Sequence, residues 1–457
     1  MDNFININDF GAVGNGLHDD SEAIYSAIQS LVTQKGGILY IPAKTYAIGK
    51  EVVIDFPGIY IRGASPYFSV IKVLENFDGS SAITFKPNTY QLSKGTGIDH
   101  GLTVNCNNQE VHGITGVRMY DQVCMQNVEV KNVHKDYSGF NFTQNSEGYS
   151  KIGQTLLLEN CYGERYGGEA NAPMFYFDRY QEVNLVGCKA FPSQPNSEML
   201  QGDGFYLKDC RGFTFTGCSV AFAENAFVVE AATKNVSGIT ISGQTNEAIA
   251  SYALKTKALN ATMVESVTVL PIRSEVREIE EKQLDGSERK VVVGGGNFDI
   301  QKTTKALIYS MDAALTLGIS SSQNVVFSTA SEKVINLAAG NSVFGLANFA
   351  RSGTSILDAL TINEFSSVPT VYFADKAGVN KSRIEQQSAN LRFGFRYVEP
   401  SGAKSYINKF IILKNDLVNA TNIQVTYPEG TNTVVRRVEI GEPNSAGEGY
   451  RGLRIRN

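Results

Sequence analysis

Tryptophan is absent from this chain of 457 residues, and histidine occurs only four times, as His18, His100, His112 and His134. Any stacking against a ligand ring must therefore come from tyrosine, at 21 copies, or phenylalanine. None of the histidines stands in an HExxH pair, and no GxSxG serine is present, which removes zinc-protease and serine-triad chemistry. Cys106, Cys124, Cys161, Cys188, Cys210 and Cys218 include no CxxC pair. They are too sparse for a disulfide framework and read as reduced, buried, small apolar residues that offer no metal site. Only 19% of residues are charged, and 46 acidic against 41 basic side chains leave a net charge of −5. Without a positive field, nucleic acid is not an expected partner. No run approaches the roughly 20 apolar residues that span a bilayer, so membrane insertion is not expected. The start, Met1-Asp2-Asn3-Phe4, lacks a basic region followed by an apolar one, and no export signal is expected.

What the chain does have is glycine, 43 residues of it, and short apolar alternations. Near the N-terminus, the stretch from Asn8 to Gly16 reads NDFGAVGNG and leads into His18-Asp19-Asp20-Ser21-Glu22. Ala23, Ile24, Ala27, Ile28 and Leu31 then recur at the three-and-four spacing of one helical face. Asp20 or Ser21 is expected to cap this helix and Gly36-Gly37 to end it. Ile38 to Ile41 and Ala47-Ile48 have strand character, with Pro42 in the turn between them. This opening resembles that of the pectate-lyase-3 type of right-handed parallel β-helix, whose pattern runs DFGA-x-GDG-x-x-DDT-x-AI, then GG, then P-x-G-x-Y. Asn15, Ser21 and Lys44 replace the pattern's Asp, Thr and Gly. The resemblance covers about the first tenth of the chain and implies the fold and its cap, not a chemistry. The family includes phage tailspikes, polysaccharide depolymerases, polygalacturonase relatives and alginate epimerases.

A weak internal period supports a solenoid independently. Short strands ending in Asn or Gly align at Cys106, Val133, Cys161, Cys188, Cys218 and Gln244, in steps of 27, 28, 27, 30 and 26 residues. Alternation inside these strands points Leu102/Val104, Val128/Val130, Leu156/Leu158, Val183/Leu185, Phe213/Phe215 and Ile239/Ile241 inward. The same alignment stacks Cys106, Cys161, Cys188 and Cys218 as one internal column. A second series, from Phe140-Asn141-Phe142 to Tyr252-Ala253-Leu254-Lys255, leaves Tyr176, Asp178, Tyr206, Lys208, Glu230 and Lys255 outward. The charged stretch from Arg273 to Lys290 reads as a hairpin turning at Asp285-Gly286. The expected organisation is an all-β chain: an N-terminal cap with its helix over 1–48, a parallel β-helix over 49–304, and an antiparallel β module over 305–457. That module is assigned to trimerisation or to receptor or carbohydrate binding.

A β-helix face suits a linear polymer, and glycoside hydrolysis needs two carboxylates. They stand about 5–5.5 Å apart for retention and about 6.5–9.5 Å for inversion. With rungs about 4.8 Å apart, Asp203 with Glu224 on adjacent rungs matches the first spacing, and Asp178 with Glu230 two rungs apart approaches the second. These four are the catalytic candidates. Tyr162, Tyr166, Tyr176, Arg179, Tyr206 and Lys208 are the substrate-binding candidates. Each also has a structural reading: Asp178, Lys208, Glu230 and Lys255 alternate in sign as a surface ion-pair ladder would, and Asp203-Gly204 is an ordinary turn sequence. Lyase chemistry would draw on Arg165, Tyr166, Arg179 or Lys208. Neither the polygalacturonase signatures nor the Asp-Pro-His-Glu of the alginate epimerases is present.

Taken together, the resemblance and the repeat imply a phage tailspike or tail appendage, a homotrimer on the virion that binds and hydrolyses a bacterial surface polysaccharide without a cofactor and contacts phage tail or baseplate proteins. A secreted bacterial lyase or hydrolase and a non-catalytic glycan-binding appendage are the alternatives.

Overall fold

Helix Ser21–Thr33 buries Ile24, Ala27, Ile28 and Leu31, the apolar stripe its spacing predicts, against the start of a solenoid. The computed structural model describes residues 3–345 except 87–93, 145–152, 166–169, 194–199, 276, 283–287, 311–312, 329–333 and 339. Backbone alone is described at 122, 274, 277–282, 288–293, 295 and 344–345, and in the strands between Thr370 and Arg456.

The helix cap differs from expectation. Asp20 occupies the capping position but makes no side-chain bond to the helix. Its carboxylate instead accepts the backbone N–H groups of Val13 at 2.7 Å and Gly14 at 3.1 Å, tying the glycine-rich loop down. Asp19 accepts from the Ser21 N–H and hydroxyl and from Gly49 N–H, and these bonds hold its pKa below the usual value against the opposing cost of burial. The Asp-Asp pair is thus a loop clamp, with the backbone donors it satisfies as its reason.

Each coil of the solenoid has three faces, and every pairing within the faces is parallel. The first face runs from Phe4–Asn6 and Gly37–Ile41 through Tyr120–Gln126, Gly153–Glu159, Tyr180–Val186, Arg211–Thr216 and Val236–Ser242 to Val325–Ser328. The second contains Leu102–Asn105, Val128–Val133, Tyr162–Arg165 and Lys189–Phe191. The third contains His112–Val117, Phe140–Thr143, Phe175–Asp178, Asp203–Lys208 and then residues 225–231 and 252–258. Its inward residues form a phenylalanine stack: Phe140 on Phe175 at 4.4 Å, Phe175 on Phe205 at 4.8 Å and Phe205 on Phe227 at 5.1 Å between ring centroids. All four rings are fully buried.

Three features of the repeat depart from the sequence reading. Leu102/Val104 and Val128/Val130 belong to the second face, whereas Leu156/Leu158 and their successors belong to the first. Alternation distinguishes inside from outside but carries no information about which of three faces a strand joins. In consequence Cys161, Cys188 and Cys218 continue a column that passes through Val128, and Cys106 lies outside it, following the strand Leu102–Asn105 on the second face. Parallel pairing also runs on past residue 304, through Leu307–Ser310, Leu315–Leu317, Val325–Ser328 and Val334–Asn336. Apolar alternation with Gly, Ser and Asn turns looks the same in parallel and antiparallel strands, so the pattern could not mark the change. The charged insertion is a hairpin, Arg277–Lys282 antiparallel to Glu288–Val293; its tip at Asp285-Gly286 lies outside the described residues.

The chain divides into two units, the first running to Asn341. The second holds a seven-stranded antiparallel meander, with strands from Thr370–Ala374 to Arg454–Arg456 in chain order. No described helix is long and apolar enough to cross a membrane.

Candidate functional site

The outward side of the third face gathers most of the predicted residues. Tyr176 and Tyr206 pair on neighbouring rungs, their rings 5.7 Å apart at 48°. One step further along the strands, Asp178, Lys208 and Glu230 occupy successive rungs. The residue opposite Glu230 is Lys257, not Lys255, which lies opposite Val228 at the level of the tyrosines. A register shift between Ala223 and Asn225 inserts one residue in the partner strand, and such a bulge leaves no mark in the alternation. The sequence alignment, which set Lys255 beside Glu230, is two residues out of register here, a slip that preserves the alternation, and so it missed Lys257. Its ammonium pairs with Glu230 at 3.1 Å and sits 5.1 Å from the centre of the Tyr206 ring.

The groups on this face are bonded to one another. Tyr206 donates its hydroxyl to Glu230. Burial, reinforced by Glu230, pushes the Tyr206 phenol well above its ordinary pKa, and burial with Asp178 nearby does the same to Tyr176. Both phenols are therefore neutral donors across the physiological range. Arg179 forks onto its neighbour Asp178, at 3.1 Å and 3.3 Å, and also donates to the Gln144 carbonyl. No carboxylate lies within ion-pair distance of Lys208 among the described residues, so the alternating ladder of Asp178, Lys208 and Glu230 does not close through it.

Asp203 and Glu224 stand at the beginning of the same strands. The position opposite Asp203 is Asn225, not Glu224 as the sequence alignment set it, and the Asn225 amide donates to its carboxylate at 2.7 Å. The Glu224 N–H donates to the Gly202 carbonyl at 2.9 Å, fixing the two turns together, while the Glu224 residue itself is exposed. Burial is the main cause that raises the Asp203 pKa, and the neighbouring Glu224 charge adds to it; the Asn225 bond and Lys255 and Lys257 oppose it. Asn225 Oδ1 is left as a buried acceptor with no hydrogen-bond partner among the described residues. One carboxyl biased toward its neutral form beside an exposed one is the arrangement that separates an acid from a base.

The other candidates fall elsewhere. Tyr162 is on the second face, where its hydroxyl donates to Glu164 at 2.9 Å, and it does not join Tyr176 and Tyr206. Tyr166 lies outside the described residues. Arg165 points inward and is fully buried, donating to the carbonyls of His134, Tyr137, Ala172 and Pro192; burial lowers its pKa to about 10. It is a corner brace and takes no part in surface chemistry. Among the described residues no group of three His, Cys, Asp or Glu is placed to hold a metal ion.

Residues 4–172 match the family described as rhamnogalacturonase A/epimerase, pectate lyase-like. The chain has the parallel β-helix fold, and its N-terminal part, up to residue 172, is similar to the pectate-lyase-like family. Among curated relatives of this β-helix protein, the mannuronan C5-epimerase AlgE4 of Azotobacter vinelandii is 34% identical over 79 residues, 16% of this chain and 14% of that protein. Alginate lyase 7 of the same organism is 31% identical over 114 residues, 24% and 13% of the two chains. The β-helix protein thus spans only a small part of these relatives. The tailspike gp42 of Acinetobacter phage vb_AbaP_AS12 superposes with a TM-score of 0.52 over 100% of this chain and 82% of its own, at 10% identity, and shows the shared fold.

Proposed function

We propose that this β-helix protein binds a bacterial surface polysaccharide along its third face and cleaves it by glycoside hydrolysis. One observation carries the reading: the half-buried Asp203, whose carboxyl pKa is raised mainly by desolvation, stands on the strand next to that of the exposed Glu224. In the proposed reaction Asp203 gives its proton to the glycosidic oxygen as the bond breaks, and Glu224 attacks the anomeric carbon. A covalent intermediate on Glu224 makes this a retaining reaction. Water then releases the sugar from Glu224, with the Asp203 carboxylate taking the proton back. Tyr176 and Tyr206 would support the apolar faces of neighbouring sugars, and Glu230 and Lys257 hold Tyr206 in place. Asp178, fixed by Arg179, and Lys208 would bind hydroxyl or acidic substituents of the same chain.

A lyase is the second reading, favoured by the similarity to alginate lyase 7. It needs a basic phenolate or amine at the uronate α-proton, and the raised pKa of Tyr176 and Tyr206 works against the tyrosines here. The biological setting we infer is a homotrimeric phage tail appendage, supported by the full-length superposition on a tailspike, with a secreted enzyme as the alternative. The test measures reducing ends and ultraviolet absorbance of unsaturated uronates, released from bacterial capsules and O-antigens by the wild type, Asp203→Asn and Glu224→Gln. New reducing ends, lost in both variants without unsaturated products, are expected. Full activity in both variants overturns the assignment of the pair, and unsaturated products replace hydrolysis by elimination. A monomeric solution mass overturns the trimer.

A further inference from the structure

The second face has a groove of its own, on the far side of a strand corner from the residues above. Thr103, Glu129, Tyr162 and Lys189 succeed one another in a single outward column, one residue per rung. Glu164 and Phe191 form the next outward pair beside it. A cleft of about 490 Å³ follows this column, and its lining includes Tyr67, Glu129, Asn160, Tyr162, Lys189 and Phe191. That volume and mixture, aromatic walls with a few directed polar groups, is the usual make-up of a small-ligand site.

The groups in the cleft are held in place before anything binds. Phe191 packs from beneath on Leu200, Ala221, Phe222 and Ala248, and the Tyr162 ring stands 5.2 Å from it at 50°. Glu129 accepts the Thr103 hydroxyl at 2.7 Å and pairs with Lys131 at 3.6 Å. Glu164 accepts from Tyr162, and the Asn160 amide reaches Asn127 Oδ1 at 3.4 Å. Glu129 keeps acceptor positions beyond these bonds. Lys189 is exposed and has no ion pair among the described residues. Tyr67 is 77% exposed and lies at the same cleft, an isolated aromatic ring with a free face.

Aromatic faces interleaved with hydroxyl acceptors and one open cation, repeating at a rung spacing of about 4.8 Å, fit the alternating apolar and hydroxylated surfaces of a sugar chain. Both carboxylates are already bonded within the protein, so the cleft has the parts for holding a glycan. We propose that this second-face groove is a non-catalytic binding site for a short segment of bacterial surface polysaccharide, separate from the third face. The inference rests on the reading of the chain as polysaccharide-binding and is independent of cleavage. Two sites on different faces of one rigid solenoid would let the protein stay on its polymer while the third face works.

The test uses the full chain on an array of bacterial capsular and O-antigen polysaccharides, comparing the wild type with Tyr67→Ala/Tyr162→Ala and with Tyr206→Ala. The double variant is expected to bind the captured polysaccharide about tenfold more weakly, from the loss of two aromatic contacts. It should cleave a short oligosaccharide of that polymer at the wild-type rate and keep the wild-type solution mass and melting temperature. Tyr206→Ala should do the reverse, losing cleavage while the array signal persists. Undiminished binding by the double variant, or no polysaccharide captured by the wild type, overturns the second site. A changed solution mass also overturns it, making the groove a contact between copies. Capture that depends on Tyr67 and Tyr162 without any cleavage sinks the depolymerase reading alone.

Discussion

Replacing Phe205 by alanine tests the link between the solenoid core and the surface it presents. The ring is fully buried, stacked between Phe175 at 4.8 Å and Phe227 at 5.1 Å, and edge-on to Phe215 at 5.3 Å and 66°. Truncating a buried phenylalanine costs about 3–5 kcal/mol through lost transfer energy and the cavity left behind. Three ring partners put this site at the upper end, because each aromatic pair contributes about 0.5–1.5 kcal/mol beyond buried area. Flanking rungs are fixed by parallel hydrogen bonds and cannot collapse into the gap, so little of the loss is recovered. We expect Phe205→Ala to lose about 4–5 kcal/mol, and Phe205→Leu, which retains most of the volume, less than half of that. Chemical denaturation followed by far-ultraviolet circular dichroism, approached from both the folded and unfolded sides, measures the difference. Because Tyr206 is the next residue on the strand, the alanine variant should also weaken polysaccharide binding at temperatures where it remains folded. A loss below about 1.5 kcal/mol for the alanine variant would refute the stacked column as the support of this face.

Other expectations follow from single groups. The folded-state pKa of Asp203 is raised, so its charged form is disfavoured in the fold and its stability cost develops as pH climbs from the unfolded value through the folded one. Asp203→Asn should therefore melt no lower than the wild type at pH 7 while losing hydrolysis; a marked fall in melting temperature would contradict the raised pKa of Asp203. Burial lowers the His112 pKa to about 4, with its Nδ1 accepting the Ser138 N–H at 3.0 Å. Stability conferred by this neutral ring is complete above the unfolded value near 6.5 and is lost as pH falls toward 4, by up to about 3 kcal/mol. An acid denaturation curve unchanged in His112→Asn would contradict that. Cys124 alone among the six thiols is not fully buried, so native-state alkylation read by intact mass should modify it first, with Cys161, Cys188 and Cys218 protected until unfolding.

Some of the molecule was legible from residue order. The N-terminal motif announced the cap and the fold because it encodes local events, a glycine-rich loop, an aspartate clamp and a helix, whose partners lie within a few dozen residues. The inward series Phe140, Phe175, Phe205 and Phe227 and the outward Tyr176, Asp178, Tyr206, Lys208 and Glu230 were also readable, since period-two alternation fixes which side of a strand a residue faces.

Which face each strand joins, and what stands opposite it, was decided in three dimensions. Turns of unequal length allow the same alternation to begin on any of three faces, which separated Tyr162 from Tyr206 and Cys106 from the other cysteines. The register of the paired strands placed Lys257 rather than Lys255 against Glu230. Arg165 carries the charge of a surface residue, yet four carbonyls converging from separate turns make the interior its place. The raised pKa of Asp203 likewise depends on desolvation by neighbouring coils and on the nearby Glu224 charge. Sequence determined the alternation and the local caps, which depend on neighbours in the chain; stacking determined register, burial and charge, which depend on neighbours in space.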